Sequence, residues 1–587
     1  MYGLNKLYLL MEKQHNRGQD GAGIAAVKLN TEPGYPFMHR IRSNANQPIA
    51  QLFEEIGQEF KEAELHQPEL RNHPGLMKGH LRFLGEVLLG HLRYGTQGKN
   101  DVQFCHPFIK LDIIPARNLA LAGNFNLVNT EDMFRHLNMN PGPFQMQSDL
   151  AAMMEVLHHY LVKADEEAPG EPDLAAVLRK AIPQFDGGYH FSGIIGNGDA
   201  FVMRDPHGIR PSYYYINDDV IVAASERPAI RTAFNLEENE VQELMPGQAM
   251  IVKADGSIHF EQITPALERK ACSFERIYFS RGSDESIYRE RIALGHKLSS
   301  TVLKAIDYDL KNSIFSFIPN TAETAFYGLI KGAEDYLNQI KIERILSWGN
   351  DVDPEKLTEM VNRRVRIEKI AIKDVKLRTF ITEDSSRNEM VQHVYDITYG
   401  TVRAGQDTLV VIDDSIVRGT TLKESIIRML SRLKPKHIII VSSAPQIRYP
   451  DCYGIDMSKL GDFVAFRAAI ALIRERKMDS LLTDLLAKCH ELDKKGELHT
   501  ENLVRQVYKP FSLDEISDKI AQLITPQDIE IPVSVIYQTI ETLHEACPEN
   551  TGDWYFTGNY PTPGGNKVCN KAFMNFMEGR NVRGYGS

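Results

Sequence analysis

Thr408-Leu409-Val410-Val411-Ile412-Asp413-Asp414-Ser415-Ile416-Val417-Arg418-Gly419-Thr420-Thr421 is the stretch on which the reading of this chain turns. Its first five residues are apolar or β-branched and predict a buried strand. Two adjacent carboxylates close that strand, and a short polar loop with one glycine follows. Leu422, Ile426, Ile427, Leu430 and Leu433 then recur at helical spacing, and a second apolar run at 437–441 predicts another strand. The unit reads as a β-α-β crossover in a parallel sheet. Ligands of such sheets bind beyond the carboxyl ends of the strands. The helix N-terminus there offers free N–H groups and a positive dipole end, which suit a phosphate. Two acids beside a phosphate cradle can hold sugar hydroxyls or a divalent cation. The site asks for a sugar phosphate with a metal. An ordinary capped turn needs neither the second acid nor Arg418. A Walker A loop is excluded, because no Gly-Lys-Ser/Thr follows.

At 587 residues the chain exceeds one hydrophobic core, so two or more domains are expected. The formal net charge of -11, with no visible cluster of basic residues, argues against nucleic acid as a partner. Cys105, Cys272, Cys452, Cys489, Cys547 and Cys569 are scattered without a C-x-x-C pair, which supports neither a zinc ribbon nor a redox motif. They read as reduced thiols of a cytoplasmic protein. No signal peptide and no apolar run of membrane length stands out, so no membrane association is expected.

Residues 1–265 predict short strands at 87–92, 119–122, 191–195, 200–203 and 220–223, with a helix at 149–160. This is the pattern of a layered α+β domain on antiparallel sheets. Helix and strand alternate over 266–470, with strands at 313–318, 408–412 and 437–441. Residues 330–365 are charged and helical. Residues 471–587 read as a helical C-terminal extension ending in Gly/Pro/Asn-rich sequence.

The run Asp413 to Thr421 resembles the substrate loop of type I phosphoribosyltransferases, in the form found in the glutamine phosphoribosylpyrophosphate amidotransferase family. Further segments resemble the same family. These are Cys272-Ser273-Phe274-Glu275 through Tyr278-Phe279-Ser280-Arg281, Ile318-Pro319-Asn320-Thr321-Ala322, Arg378-Thr379-Phe380-Ile381, and Pro445 through Met457. The resemblance implies that Asp413 and Asp414 hold ribose hydroxyls and Mg²⁺, with Thr321 assisting the metal. It implies that Ser415, Ile416, Val417, Arg418, Gly419, Thr420 and Thr421 bind the 5′-phosphate of phosphoribosyl pyrophosphate (PRPP). The family's closing-loop lysine has no clear counterpart; Lys373, Lys376 or Arg387 are the alternatives.

The N-terminal half resembles the family's glutaminase domain, an N-terminal-nucleophile hydrolase. The matching segments are Gln14 through Ile24, Gly90-His91-Leu92-Arg93-Tyr94-Gly95-Thr96, Ala122 through Leu127, Ser148-Asp149, Arg204 through Pro211, Ala224-Ser225-Glu226 and Pro246-Gly247. An arginine fork suits the α-carboxylate of glutamine and a carboxylate suits its α-ammonium. Arg93 and Asp149 fill those roles in the resemblance, with Thr96 beside them. The Asn124 side chain and the Phe125 N–H would stabilise the oxyanion. The family has glycine at the Phe125 position, so its φ/ψ freedom is lost here.

The family's nucleophile is an N-terminal cysteine. Here residue 1 is Met and no cysteine precedes Cys105, an internal residue read as structural. The expectation is an N-terminally truncated amidotransferase half, without a catalytic nucleophile, and an enzyme fed by free ammonia. Some family members bind an iron–sulfur cluster through four cysteines. Cys272 and Cys452 match two, but Asp553-Trp554 stand where a C-x-x-C is needed, so no cluster is expected.

The resemblance implies the first step of de novo purine synthesis: 5-phosphoribosylamine from PRPP and glutamine-derived ammonia. It also implies a cytoplasmic homo-oligomer inhibited by purine nucleotides. Two other readings stand beside it: a PRPP-binding regulatory protein without catalysis, and a nucleobase phosphoribosyltransferase, which the 265-residue N-terminal half disfavours.

Overall fold

The computed structural model describes all residues except 33, 96–100, 350–351, 374–394, 456 and 586–587. The N-terminal half carries β1 (Gly21–Val27), β2 (Met38–Ser43), β3 (Val87–Arg93), β4 (Phe108–Lys110), β5 (Leu119–Leu127), β6 (Gly187–Ile195), β7 (Ala200–Arg204), β8 (Tyr213–Ile216), β9 (Ile221–Ala224), β10 (Gln242–Glu243), β11 (Gln248–Val252) and β12 (Ile258–Gln262). They form sheets of order β2-β1-β3, β12-β11-β7-β6-β5-β4 and β10-β8-β9. The expected strands are present and mostly longer, and the helix opened by Asp149 runs on to Glu167.

Side-chain alternation explains the layering. Ala120 and Ala122 of β5 meet Ala25 and Leu89 of the small sheet, while Leu119 and Leu121 face the helix Asp149–Glu167 through Leu150, Met153 and Leu157. On the far side of the small sheet, Ala22, Ile24 and Ala26 meet Leu52 and Ile56 of the helix Pro48–His66. Small residues on both faces of β1 let two sheets lie between two helical layers. Within β3, period two then sends Leu89, His91 and Arg93 toward the large sheet.

The second half adds β13 (Ser313–Phe317), β14 (Arg366–Ile367), β15 (Ala371–Lys373), β16 (Tyr395–Ile397), β17 (Thr408–Asp413), β18 (His437–Ser442) and β19 (Val533–Tyr537). The sheet β14-β13-β17-β18-β19 is parallel throughout. Val410, Ile412, Ile439 and Val441 pack against the helices Glu285–Ala305 and Glu323–Ser347, and Leu409, Val411, Ile438 and Ile440 pack on the other face. Burial on both faces is why these strands read as continuous apolar runs.

The segment expected as a helical extension from 471 supplies β19, which pairs with β18 from Ile438↔Val533 to Ser442↔Tyr537. Its apolar run 533–537 is shorter than a helix needs and carries β-branched residues, which is the signal that identifies it as a strand. The charged stretch forms the helices Glu323–Ser347 and Pro354–Asn362. Among the described residues no helix is long and apolar enough to cross a membrane.

Candidate functional site

The strand β17 ends at Asp413, and the chain leaves the sheet at the carboxyl edge. Asp414 N–H donates to Asp413 Oδ1 at 2.9 Å, and Ser415 Oγ donates to Asp414 Oδ1 at 2.9 Å. Ser443, at the end of the neighbouring strand, fixes the turn: its N–H donates to Asp413 O and its hydroxyl to Asp414 O, both at 3.0 Å. Burial, and then the neighbouring charge of Asp414, push the Asp413 carboxyl well above the usual carboxylate range. Burial raises Asp414 too, against the pull of Ser415, Arg291 and Lys373. An acid pair strained in this way is a natural seat for cations or hydroxyl donors.

The loop beyond it is held open. Val464 N–H donates to Val417 O at 2.9 Å, and Arg467 donates to Arg418 O at 2.5 Å. Arg418 itself pairs with Asp462 at 3.2 Å. Gly419 sits at φ 71°, and a Cβ there would lie 2.8 Å from Ile524 Cγ2, so the turn requires glycine. Among the described residues the N–H groups of Val417 to Thr421 have no protein acceptor. Their chain then enters the helical turn Leu422–Ile426. A row of unpaired amides before a helical turn, facing a cavity, is an anion cradle.

In the N-terminal half, Arg93 is buried at the end of β3. Asp149 lies in the first turn of its helix, whose N-cap is Ser148. Its Oδ2 accepts from Leu127 N–H at 3.0 Å, and burial lifts its carboxyl to about 6 against the pull of that N–H and of Arg583. Asn124 and Phe125 stand on β5, paired with His190 and Tyr189 of β6. Tyr189 spends its carbonyl and amide on Asp205, so the ladder alternation turns Phe125 N–H away from β6. Phe125 has ordinary extended backbone, so the expected loss of glycine freedom has no consequence here.

One cavity of about 1690 Å³ takes in both groups. Arg93, Asn124, Phe125 and Asp149 line one end; Thr321, Lys373, Asp413, Asp414 and the loop to Thr421 line the other. Phe274, Tyr278 and Phe279 line the same cavity. The Tyr278 phenol is raised to about 12 by burial and by the charges of Asp414, Tyr94 and Asp413, which places it between Tyr94 and the acid pair.

The structure thus brings together every expected site residue that it describes. Thr96, Lys376, Arg378 to Ile381 and Arg387 lie outside the described residues. Of the lysine alternatives, Lys373 lines the cavity and its charge acts on Asp414. Cys105 is fully buried with its thiol raised by burial, in keeping with a structural residue. Cys272 lies 3.3 Å from Tyr555 Oη, and Trp554 and Tyr555 are themselves fully buried there. Sequence reasoning missed His106 and His190, which line the cavity. A polar residue within the apolar run of β6 was the available signal for His190.

Residues 107–232 match the model of a glutamine amidotransferase domain family. Amidophosphoribosyltransferase of Pseudomonas aeruginosa is 28% identical over 65% of this chain and 71% of its own length. That of Escherichia coli is 26% identical over 80% of this chain and 82% of its own. In fold, the chain matches glutamine phosphoribosylpyrophosphate amidotransferase from B. subtilis, complexed with ADP and GMP, at a TM-score of 0.62 and 22% identity, over 95% of this chain and 94% of that one. The amidotransferase-type half, the phosphoribosyltransferase-type half and their order along one chain are thus similar, in sequence and in fold, to those of amidophosphoribosyltransferases.

Proposed function

We propose that this chain is an amidophosphoribosyltransferase that forms 5-phosphoribosylamine from PRPP and free ammonia, with a glutamine-binding site retained in its N-terminal half. The observation that carries the reading is the row of amides from Val417 to Thr421, without acceptors among the described residues, two residues beyond the acid pair Asp413–Asp414. Those amides, with the hydroxyls of Ser415, Thr420 and Thr421, would bind the 5′-phosphate. Asp413 and Asp414 would take the ribose hydroxyls.

The acid pair also fits Mg²⁺: it offers hard oxygen donors whose charge a cation would relieve. Among the described residues no group of three or more His, Cys, Asp or Glu is arranged to hold a metal. Diphosphate oxygens of PRPP, with Thr321, would complete the set. Bound there, Mg²⁺ supplies charge stabilisation to the departing diphosphate. Ammonia attacks C1 of the ribose; a C–N bond forms, the C–O bond to diphosphate breaks, and the new ammonium loses a proton. Ammonia needs no strong base, so positioning and exclusion of water by the Phe274–Phe279 stretch would be the chain's main contribution.

Arg93, Asp149, Asn124 and Phe125 would receive glutamine. A purine-nucleotide-inhibited homo-oligomer in the cytoplasm completes the reading. Diphosphate release from PRPP, MgCl₂ and ammonium chloride tests it. Turnover supports the enzyme; tight PRPP binding without turnover favours a sensor; a requirement for a purine base favours a nucleobase transferase.

A further inference from the structure

His190 is the cross-strand partner of Asn124 in the β5–β6 ladder. Paired residues leave a sheet on the same face, their Cβ atoms about 5 Å apart. Here that face looks toward β3, which carries His91 and Arg93. The imidazole is 6% exposed and lines the cavity. Its Nδ1 lies 3.4 Å from Ser225 Oγ. Its Nε2 is buried and has no hydrogen-bond partner among the described residues. Folded proteins rarely leave such an atom unpaired, and one turned into a cavity marks where a ligand atom belongs.

The ring must act as a neutral group. Burial, reinforced by the charges of Arg204 and Arg17, holds its pKa down at about 3. We assign the neutral tautomer in which Nδ1 accepts from the Ser225 hydroxyl, so that Nε2 carries the proton and offers a donor. Its partner is then an acceptor oxygen lying beside the Asn124 side chain.

We propose that His190, oriented by Ser225, is a glutamine-binding residue that donates from Nε2 to the side-chain carboxamide oxygen beside Asn124. The proposal rests on the assignment of Arg93 and Asp149 to the α-groups of glutamine, and it adds a determinant that recognises the carboxamide.

Calorimetry of L-glutamine and L-norleucine on the full chain tests it. Norleucine shares the α-groups and lacks the carboxamide. His190→Phe should weaken glutamine about tenfold, the scale of one buried hydrogen bond, and leave norleucine unchanged. His190→Gln, which restores an N–H donor, should recover most of the affinity. Where norleucine gives no heat, that recovery decides. Equal loss for both ligands, no recovery with Gln, or glutamine binding unaffected by Phe overturns the proposal. If the parent chain gives no heat with glutamine, or Arg93→Ala and Asp149→Asn leave its affinity unchanged, the glutamine assignment itself fails, and this proposal with it. Glutamine binding that responds to Arg93→Ala but not to His190→Phe removes only the role of His190.

Discussion

Replacing Asp413 by Asn should stabilise the protein while stopping its reaction. Burial first, and then the Asp414 charge, raise the Asp413 carboxyl well above its ordinary range. A carboxyl whose pKa is higher in the folded state than in the unfolded chain lowers stability at every pH above its unfolded value. Asparagine removes that cost and keeps Oδ1, which accepts from Asp414 N–H at 2.9 Å. The urea midpoint at pH 7.5 should therefore move up, while Mg-dependent diphosphate release from PRPP and ammonium chloride falls by about 100-fold or more. The two effects have opposite pH signs. As pH falls from 8 toward the raised pKa values, protonation relieves the acid pair and the parent gains stability, whereas the variant gains less. Turnover of the parent should fall over the same range, because the pair loses the charge proposed to hold Mg²⁺ and the ribose. A variant less stable than the parent at pH 7.5, or one that still turns over, would refute the reasoning.

Gly419→Ala should raise the KM for PRPP at least about tenfold with little loss of fold, because the left-handed backbone costs an L-residue about 1 kcal/mol or more and the new methyl meets Ile524; initial rates across PRPP concentrations check it. Arg17→Met should destabilise by about 3–5 kcal/mol in urea, because it leaves the buried carboxylates Glu226 and Glu275 without their shared cation. Glutamine affinity, followed by calorimetry, should fall about tenfold per pH unit below 6, because burial raises Asp149 to about 6 and only its carboxylate pairs with an α-ammonium; a flat profile between pH 5 and 7 contradicts that role.

What the sequence made legible was local. The strand β17, the acid pair, the glycine turn and the following helical turn are encoded within the consecutive residues 408–426, each level agreeing with the next. The helix beginning at Asp149 announced itself by its cap and its apolar period. What stayed hidden depends on distant partners. β19 is a short apolar run in helical surroundings; its length and β-branched residues allow a strand, and its pairing with β18, some ninety residues upstream, sets it in the sheet. His190 is one polar residue in a buried strand, and only the register with β5 sets it beside Asn124. Phe125 looked compromised beside the glycine of the family pattern, yet it stands in regular β backbone without positive φ.

The way the two halves join was equally hidden, and it bears on function. Arg17 donates to Glu226 at 2.7 Å and to both oxygens of Glu275 at 2.8 and 2.7 Å. Glu275 also pairs with Arg210 at 3.2 Å, and Arg210 Nε donates to Tyr453 O at 2.6 Å. Asn16 donates to Phe279 O at 3.0 Å. These contacts bracket the segment from Glu275 to Phe279, whose Tyr278 lies between Tyr94 and the acid pair. Buried charges of this kind add little net stability when complete, but each becomes costly once its partner is removed. Their effect is to fix one arrangement of the segment and penalise others. Arg17 and Arg210 belong to motifs of the N-terminal half and Glu275 opens the second half, so residues that looked like markers of two separate sites hold the wall those sites share. Loss of Arg17 should then disturb PRPP turnover and glutamine binding together, although it contacts neither ligand-binding group directly.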